Sequence, residues 1–355
     1  MRLAPGTFVG RYRVDRYLDE GGMQEVYRAT DTRLGRVVAL KTPKHDGERR
    51  FDRSAHASAR VNHANVARTL DYFSYNDSYY LVEELIEGLD FGAILKRAAQ
   101  LDPYVTAQVL HGLARALSAV HGEHVVHRDL KPSNIMAVGG LELTDVKLTD
   151  FGVALMAEAE IDAGLKGDIR LTGSKTLIGH LPYLAPEILK KRTLVSAAAD
   201  VWAAGALAFH FLAGKPPFGH ELADAVTNIL TAPIPPLPPE VGNNPQLRGL
   251  GQEIYGIAAA CLQRDPVSRP TAKQLVELCG RLCYPIERRE VGVVTGYPGG
   301  SFGFADARNG TVFFHVESVF GLAPPRVGGK IWFSRYPGSP RDRAHPVVPL
   351  LEEAS

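Results

Sequence analysis

The chain has 355 residues, 45% of them hydrophobic, enough to build packed cores in two domains rather than one. Its 40 Lys and Arg against 39 Asp and Glu leave a formal charge of +1. That balance excludes a strongly basic nucleic-acid protein and an acidic tail, so any nucleic-acid role has to come from a local surface. Three cysteines, Cys261, Cys279 and Cys283, lack the pattern of a zinc site or a disulfide framework and point to a reducing cytoplasm. The opening MRLAPGTFVGRYRV has no apolar core of signal-peptide length, and no later run of about eighteen apolar residues could span a bilayer, so a soluble protein without a membrane segment is expected.

Between Tyr12 and Lys41, apolar and polar residues alternate around Gly21-Gly22 and end in Arg36-Val37-Val38-Ala39-Leu40-Lys41, the pattern of a β-meander. Residues 47–60 are polar and Arg-rich and predict a weakly anchored helix, after which Tyr79-Tyr80-Leu81-Val82 supplies a strand that closes the sheet. Beyond Gly88 the character turns helical: Val105, Val109, Leu113, Leu117 and Val120 lay one apolar stripe toward a core, which implies a second lobe. Asp200–Leu212 is apolar nearly all round, as a central buried helix would be. Pro233 to Pro245 is a Pro-rich excursion, and helices resume by Glu253 and run to about Leu282.

Near Tyr284-Pro285 the composition changes to short β-type runs. Val291–Thr295, Phe302–Ala305, Val312–Val316, Lys330–Tyr336 and His345–Val348 make five candidate strands, the spacing of a small barrel. The expected organisation is a first domain over 1–283 with lobes over about 8–86 and 87–283, a linker at 284–289, the barrel at 290–349 and a tail at 350–355.

Three strings carry the chemistry of the first domain: Val38-Ala39-Leu40-Lys41, His127-Arg128-Asp129-Leu130-Lys131-Pro132-Ser133-Asn134, and Asp150-Phe151-Gly152. Ala185-Pro186-Glu187, Asp200-Val201-Trp202, Pro216-Pro217-Phe218 and Arg264-Asp265-Pro266, leading to Arg269-Pro270, follow in order. Any one Lys, Asp or Asn would read as solvated surface. The ordered set resembles the protein-kinase family, in particular its bacterial Ser/Thr branch, over roughly three quarters of the chain.

The resemblance implies an α+β two-lobed protein-kinase fold, which the small five-stranded, OB-like β-barrel follows. It also implies transfer of the γ-phosphate of ATP to hydroxyls of a protein substrate with Mg²⁺, a reaction that needs charge neutralisation and alignment more than covalent chemistry. Lys41 would hold the α- and β-phosphates, and Asn134 and Asp150 are oxygen ligands of the kind Mg²⁺ prefers. Asp129 would orient the attacking hydroxyl and accept its proton, with Lys131 meeting the γ-phosphate. The nucleotide is expected against Leu18, Gly21, Gly22, Val26, Ala39, Lys41, Glu84, Ile86, Met136 and Asp150.

The sequence departs from the family pattern in three places. Asp19 and Gln24 replace the first and third glycines of GxGxxG, which restricts backbone approach to phosphates. Counting back from Val61-Asn62-His63, the helix position that usually pairs with the strand Lys is Ser54, whereas Glu83 occupies the position before the hinge where an apolar residue is usual. Glu83 is expected to pair with Lys41 from inside the sheet; the alternative is a one-residue slip that turns Glu83 outward and makes Glu84 the inward residue. Gly179-His180 stands where the family carries Gly-Thr. In the intervening activation loop, Thr172, Ser174 and Thr176 are candidate phosphosites whose charge Arg128 could read, or else ordinary loop residues. These departures leave a second reading open, a pseudokinase scaffold whose working part is the barrel.

In the barrel, Ser301-Phe302-Gly303-Phe304-Ala305 and Val312-Phe313-Phe314-His315-Val316 are similar to the two nucleic-acid-binding strings of the cold-shock domain. Strand alternation puts Phe302 with Phe304 and Phe313 with His315. If the two faces coincide they make a stacking platform for single-stranded RNA or DNA, extended by Tyr297. Gly296 stands where that family has a Trp, and the excess of basic over acidic residues between Val291 and Val348 is small. The alternative is that these aromatics pack the barrel or dock it on the first domain. No motif sets an oligomeric state.

Overall fold

The structure, a computed structural model, describes residues 2–20, 24–44, 48–150, 179–190, 196–321 and 324–351. The small lobe is an antiparallel sheet of β1 (Phe8–Val9), β2 (Tyr12–Glu20), β3 (Gln24–Asp31), β4 (Arg36–Pro43), β5 (Thr69–Tyr75) and β6 (Ser78–Glu84), in spatial order β1-β2-β3-β4-β6-β5. Alternation sends Val14, Tyr27, Ala29, Val38, Leu40 and Val82 into its core. Strand β5 was not anticipated: its residues are at most half-buried, so alternation is faint. It pairs with β6 across a two-residue turn in which Asn76 and Asp77 take φ of 48° and 59°, the left-handed pair that a tight hairpin demands and that Asn and Asp tolerate. Helix α1 (Glu48–Ser58) is anchored on the sheet by a small cluster of Phe51 and Ala55 against Leu81.

The large lobe opens with β7 (Gly88–Asp90), α2 (Phe91–Ala98) and α3 (Pro103–Gly122). Asp102 caps α3 by accepting from Tyr104 N and Val105 N, Pro103 takes the first helical position, and the whole predicted stripe from Val105 to Val120 is buried. Strands β8 (Ile135–Val138) and β9 (Asp145–Leu148) complete a three-stranded sheet with β7 beneath the interlobe cleft. Helices α4 (Pro186–Lys190), α5 (Ala197–Ala213), α6 (Leu222–Thr231), α7 (Pro239–Gly242), α8 (Arg248–Cys261) and α9 (Ala272–Cys279) follow. The central helix α5 is buried, and its small residues admit α8 so closely that a Cβ on Gly205 would sit 2.5 Å from Cys261 Cβ. Arg269 clamps this base, with two 2.7 Å bonds to the Glu187 carboxylate and its guanidinium over Trp202.

Strands β10 (Arg289–Gly296), β11 (Phe302–Ala307), β12 (Gly310–His315), β13 (Lys330–Tyr336) and β14 (Arg343–Pro349) close a barrel in the order β10-β11-β12-β14-β13. Its first strand begins at Arg289, inside the stretch read as linker, because Arg289 already pairs with Ser334. The barrel is seated on the large lobe: Phe320, Trp332 and Val348 belong to the large-lobe core, and Trp332 Nε1 donates to Leu141 O at 2.6 Å. Asn244 Nδ2 donates to Glu317 O at 3.1 Å, and the buried Arg289 forms an ion pair with Asp102. Among the described residues no helix is long and apolar enough to cross a membrane.

Candidate active site

The interlobe cleft has a volume of about 480 Å³, within the range of small-molecule sites. Leu18 and Val26 line it from β2 and β3, Ala39 and Lys41 from β4, Glu84 from the end of β6, Ile86 from the segment joining the lobes, and Met136 from β8. All of these were expected there from the sequence. Asp150, also expected there, lines the cleft as well, whereas Gly21 and Gly22 and the candidate phosphosites Thr172, Ser174 and Thr176 lie outside the described residues.

At the inner end of the cleft, Lys41 Nζ lies 2.5 Å from Glu83 Oε2 and 2.7 Å from Asp150 Oδ1. The inward residue is thus Glu83; Glu84 is turned to the rim, where its carboxylate accepts from Lys147 Nζ at 2.7 and 2.8 Å. Burial works against the Lys41 charge, but Asp150 and Glu83 outweigh it and raise its pKa. Asp150 shows the reverse balance, its carboxyl held below the usual range by Lys41 despite burial. Glu83 is pushed up by burial against the pull of Lys41.

Sequence reasoning missed one contact. Gln24 Nε2 donates to Asp150 Oδ1 at 2.7 Å, joining the first residue of β3 to the floor of the cleft. Only the replacement of a glycine by a long polar side chain pointed to it.

Asp129 stands in a buried polar cluster. Its Oδ2 accepts from Lys131 Nζ at 2.8 Å and Asn134 Nδ2 at 3.0 Å, and its Oδ1 lies 2.5 Å from His180 Nδ1. Burial opposes ionisation of Asp129, yet His180 and Lys131 hold its carboxyl well below the usual carboxylate range. The loop is built from below by Asp200, whose carboxylate accepts from His127 N and Arg128 N, both at 2.8 Å. His127, kept neutral by burial, sits 2.9 Å from Thr149 O through Nε2 and 3.3 Å from Asp129 N through Nδ1. Arg128 and Asp150 both adopt left-handed φ, 70° and 61°, a strain that such anchoring sustains at functional sites.

Among the described residues no cluster of three or more His, Cys, Asp or Glu side chains could hold a metal. Asp150 and Asn134 would therefore need further oxygens from a ligand. They fit that role: the Asn134 amide nitrogen is spent on Asp129, its carbonyl oxygen accepts a long 3.4 Å bond from Ser133 Oγ that a cation could replace, and Asp150 faces the cleft.

On the barrel, Phe302, Phe304 and Phe313 form one cluster with ring centroids 5.8 to 5.9 Å apart, and Arg341 lies over Phe304. His315 is opposite Phe302 in the register. Tyr297 does not extend this face. It stacks instead on Phe314, a buried core ring, and packs against the barrel core. Docking on the large lobe falls to Phe320, Trp332 and Val348 rather than to the predicted aromatics.

The profile of the protein kinase domain matches residues 12–278. The chain is 34% identical over 250 residues to the serine/threonine-protein kinase PknA of Mycobacterium tuberculosis, covering 67% of this chain and 55% of that protein. It is 30% identical over 276 residues to the serine/threonine-protein kinase pkn3 of Myxococcus xanthus, covering 76% and 49%. The chain thus spans about half the length of these relatives. The crystal structure of the Mycobacterium tuberculosis PknI kinase domain superimposes with a TM-score of 0.57 at 22% identity, covering 79% of this chain and 99% of that one, a likeness of fold.

Proposed function

We propose, from the premise that this chain belongs to the protein kinase family, that it transfers the γ-phosphate of ATP to Ser or Thr hydroxyls of a protein substrate, with Mg²⁺. The observation that carries the reading is the convergence of Lys41 and Asp150 at 2.7 Å on the inner end of a cleft beside an ionised Asp129. Bound there, Mg²⁺-ATP would supply the transferable phosphoryl group and much of its charge neutralisation. Lys41 provides a fixed cation for phosphate oxygens, and Asn134 and Asp150 provide metal ligands. Asp129 orients the incoming hydroxyl and takes its proton, while Lys131 offsets charge beside it. Three free cysteines suit a cytoplasmic setting. Incubation with labelled ATP and Mg²⁺ tests the reading: incorporation is expected in the wild type and lost in Asp150→Ala. No incorporation, or equal incorporation in both, would contradict it.

A second reading concerns the barrel and is favoured by the aromatic trio with its neighbouring Arg341. Such a face offers stacking surfaces to unpaired bases, so we assign it single-stranded RNA or DNA as ligand, whether it targets the kinase or is the working part of a scaffold. Titration with a labelled oligonucleotide separates the two readings, since it requires no phosphoryl transfer.

A further inference from the structure

Glu83 reaches Lys41 through the sheet itself. Strands β4 and β6 are antiparallel neighbours, with Lys41 opposite Leu81 and Ala39 opposite Glu83. Residues two apart on a strand share a face, so Glu83 lies diagonal to Lys41 on the same side, a span that two long side chains close. Both are buried, with side chains 7% and 3% exposed. Helix α1 presents no such carboxylate among its described side chains. Its buried residues are Phe51, Ser54, Ala55 and Ser58, whereas Asp52 is 47% exposed beside His56.

We propose that Glu83 is the positioning residue of Lys41, and that the pairing is therefore independent of where helix α1 stands. Its importance for phosphoryl transfer rests on the kinase reading above; the pairing itself does not. Where the partner carboxylate sits on the helix, formation of the ion pair depends on helix position, which is a means of control. Here the two charges sit on hydrogen-bonded strands that move together, so a displacement of α1 leaves Lys41 paired. The inner wall of the cleft is also charged where an apolar side chain would be usual. Each partner depends on the other, since a buried carboxylate without its cation is costly.

Acylation of Lys41 in the nucleotide-free full-length chain, followed by peptide mass spectrometry at fixed mildly alkaline pH, tests the pairing directly. Glu83→Gln removes the carboxylate that holds the ammonium against the sheet, leaves the side chain freer to meet the reagent and is expected to raise the acylation rate on the order of three- to tenfold. Glu83→Asp, which keeps the charge, should stay nearer the wild type, a pattern that a merely structural role would not produce. Glu48→Gln and Asp52→Asn in α1 should leave the rate unchanged. An unchanged rate in Glu83→Gln, or a rise in Glu48→Gln of equal size, would overturn the proposal. The Glu48→Gln arm decides the question on its own if Glu83→Gln does not fold. Because no nucleotide takes part, failure of the kinase reading would appear separately, as absent phosphate incorporation in the wild type.

Discussion

Arg289, the first residue of the barrel, forms an ion pair with Asp102, the residue that caps the long helix α3 of the large lobe, and both side chains are almost fully buried. The Arg289 guanidinium also lies 4.7 Å from the Trp332 ring and is within reach of Pro346 O at 3.3 Å. One side chain therefore ties the barrel wall to the N-terminus of a kinase helix. Breaking a buried pair by removing one partner leaves a bare charge and costs about 3–5 kcal/mol. Arg289→Met should lower the urea midpoint accordingly, with Trp fluorescence as the readout, and the double variant Asp102→Asn/Arg289→Met should recover much of the loss. A single variant as stable as wild type would show that the pair does not hold the barrel.

Two buried histidines make stability depend on pH. Burial lowers the pKa of His127, and burial with a smaller contribution from His220 lowers that of His210 to about 3. Both rings are neutral in the fold and protonate near 6.5 once unfolded. Below about pH 6.5 the unfolded chain binds more protons, so their contribution is fully present above that pH and is lost progressively as pH falls toward the folded values. For His210 alone the loss from pH 6.5 to 5 is about 2 kcal/mol. Urea unfolding at the two pH values should show a shallower acid-side decline in His210→Gln; an unchanged slope would contradict this.

Asp129→Asn keeps the shape of the side chain and removes its charge and basicity. Phosphate incorporation should fall by on the order of 10²–10⁴, with nucleotide affinity retained. A variant that transfers phosphate at the wild-type rate would remove Asp129 from the role of base.

Much of this arrangement is legible in the residues. The stripe from Val105 to Val120 and the apolar run around Trp202 announce their helices because burial on one face, or on all faces, leaves a periodic trace. The cleft residues follow from ordered motifs. Strand β5 left little trace because both its faces are partly wet, although Asn76-Asp77 signals the turn behind it. A one-residue ambiguity in strand register hid which of Glu83 and Glu84 faces inward, and the pairing of Lys41 with Leu81 resolves it. Gln24 with Asp150 left no trace beyond the lost glycine, and Asp102 with Arg289 left none: each joins residues far apart in sequence, and no local pattern records where lobes and barrel meet.

The aromatic face of the barrel makes its own prediction. Phe302→Ala and Phe313→Ala should each weaken binding of a single-stranded oligonucleotide by about 1–3 kcal/mol in fluorescence anisotropy, with unfolding unchanged for rings that lie outside the core. Phe314→Ala, in the core, should instead cost about 3–5 kcal/mol of stability. Equal oligonucleotide binding in wild type and both surface variants would remove the platform.

Reception of a metal-bound triphosphate by Lys41 and Asp150 between the lobes is tested by calorimetric titration with ATP and Mg²⁺. The wild type should bind one nucleotide in a Mg²⁺-dependent manner, Lys41→Met should weaken that binding, and Asp150→Asn should remove its dependence on the metal. Absence of binding in the wild type, or identical isotherms for all three proteins, would contradict the account.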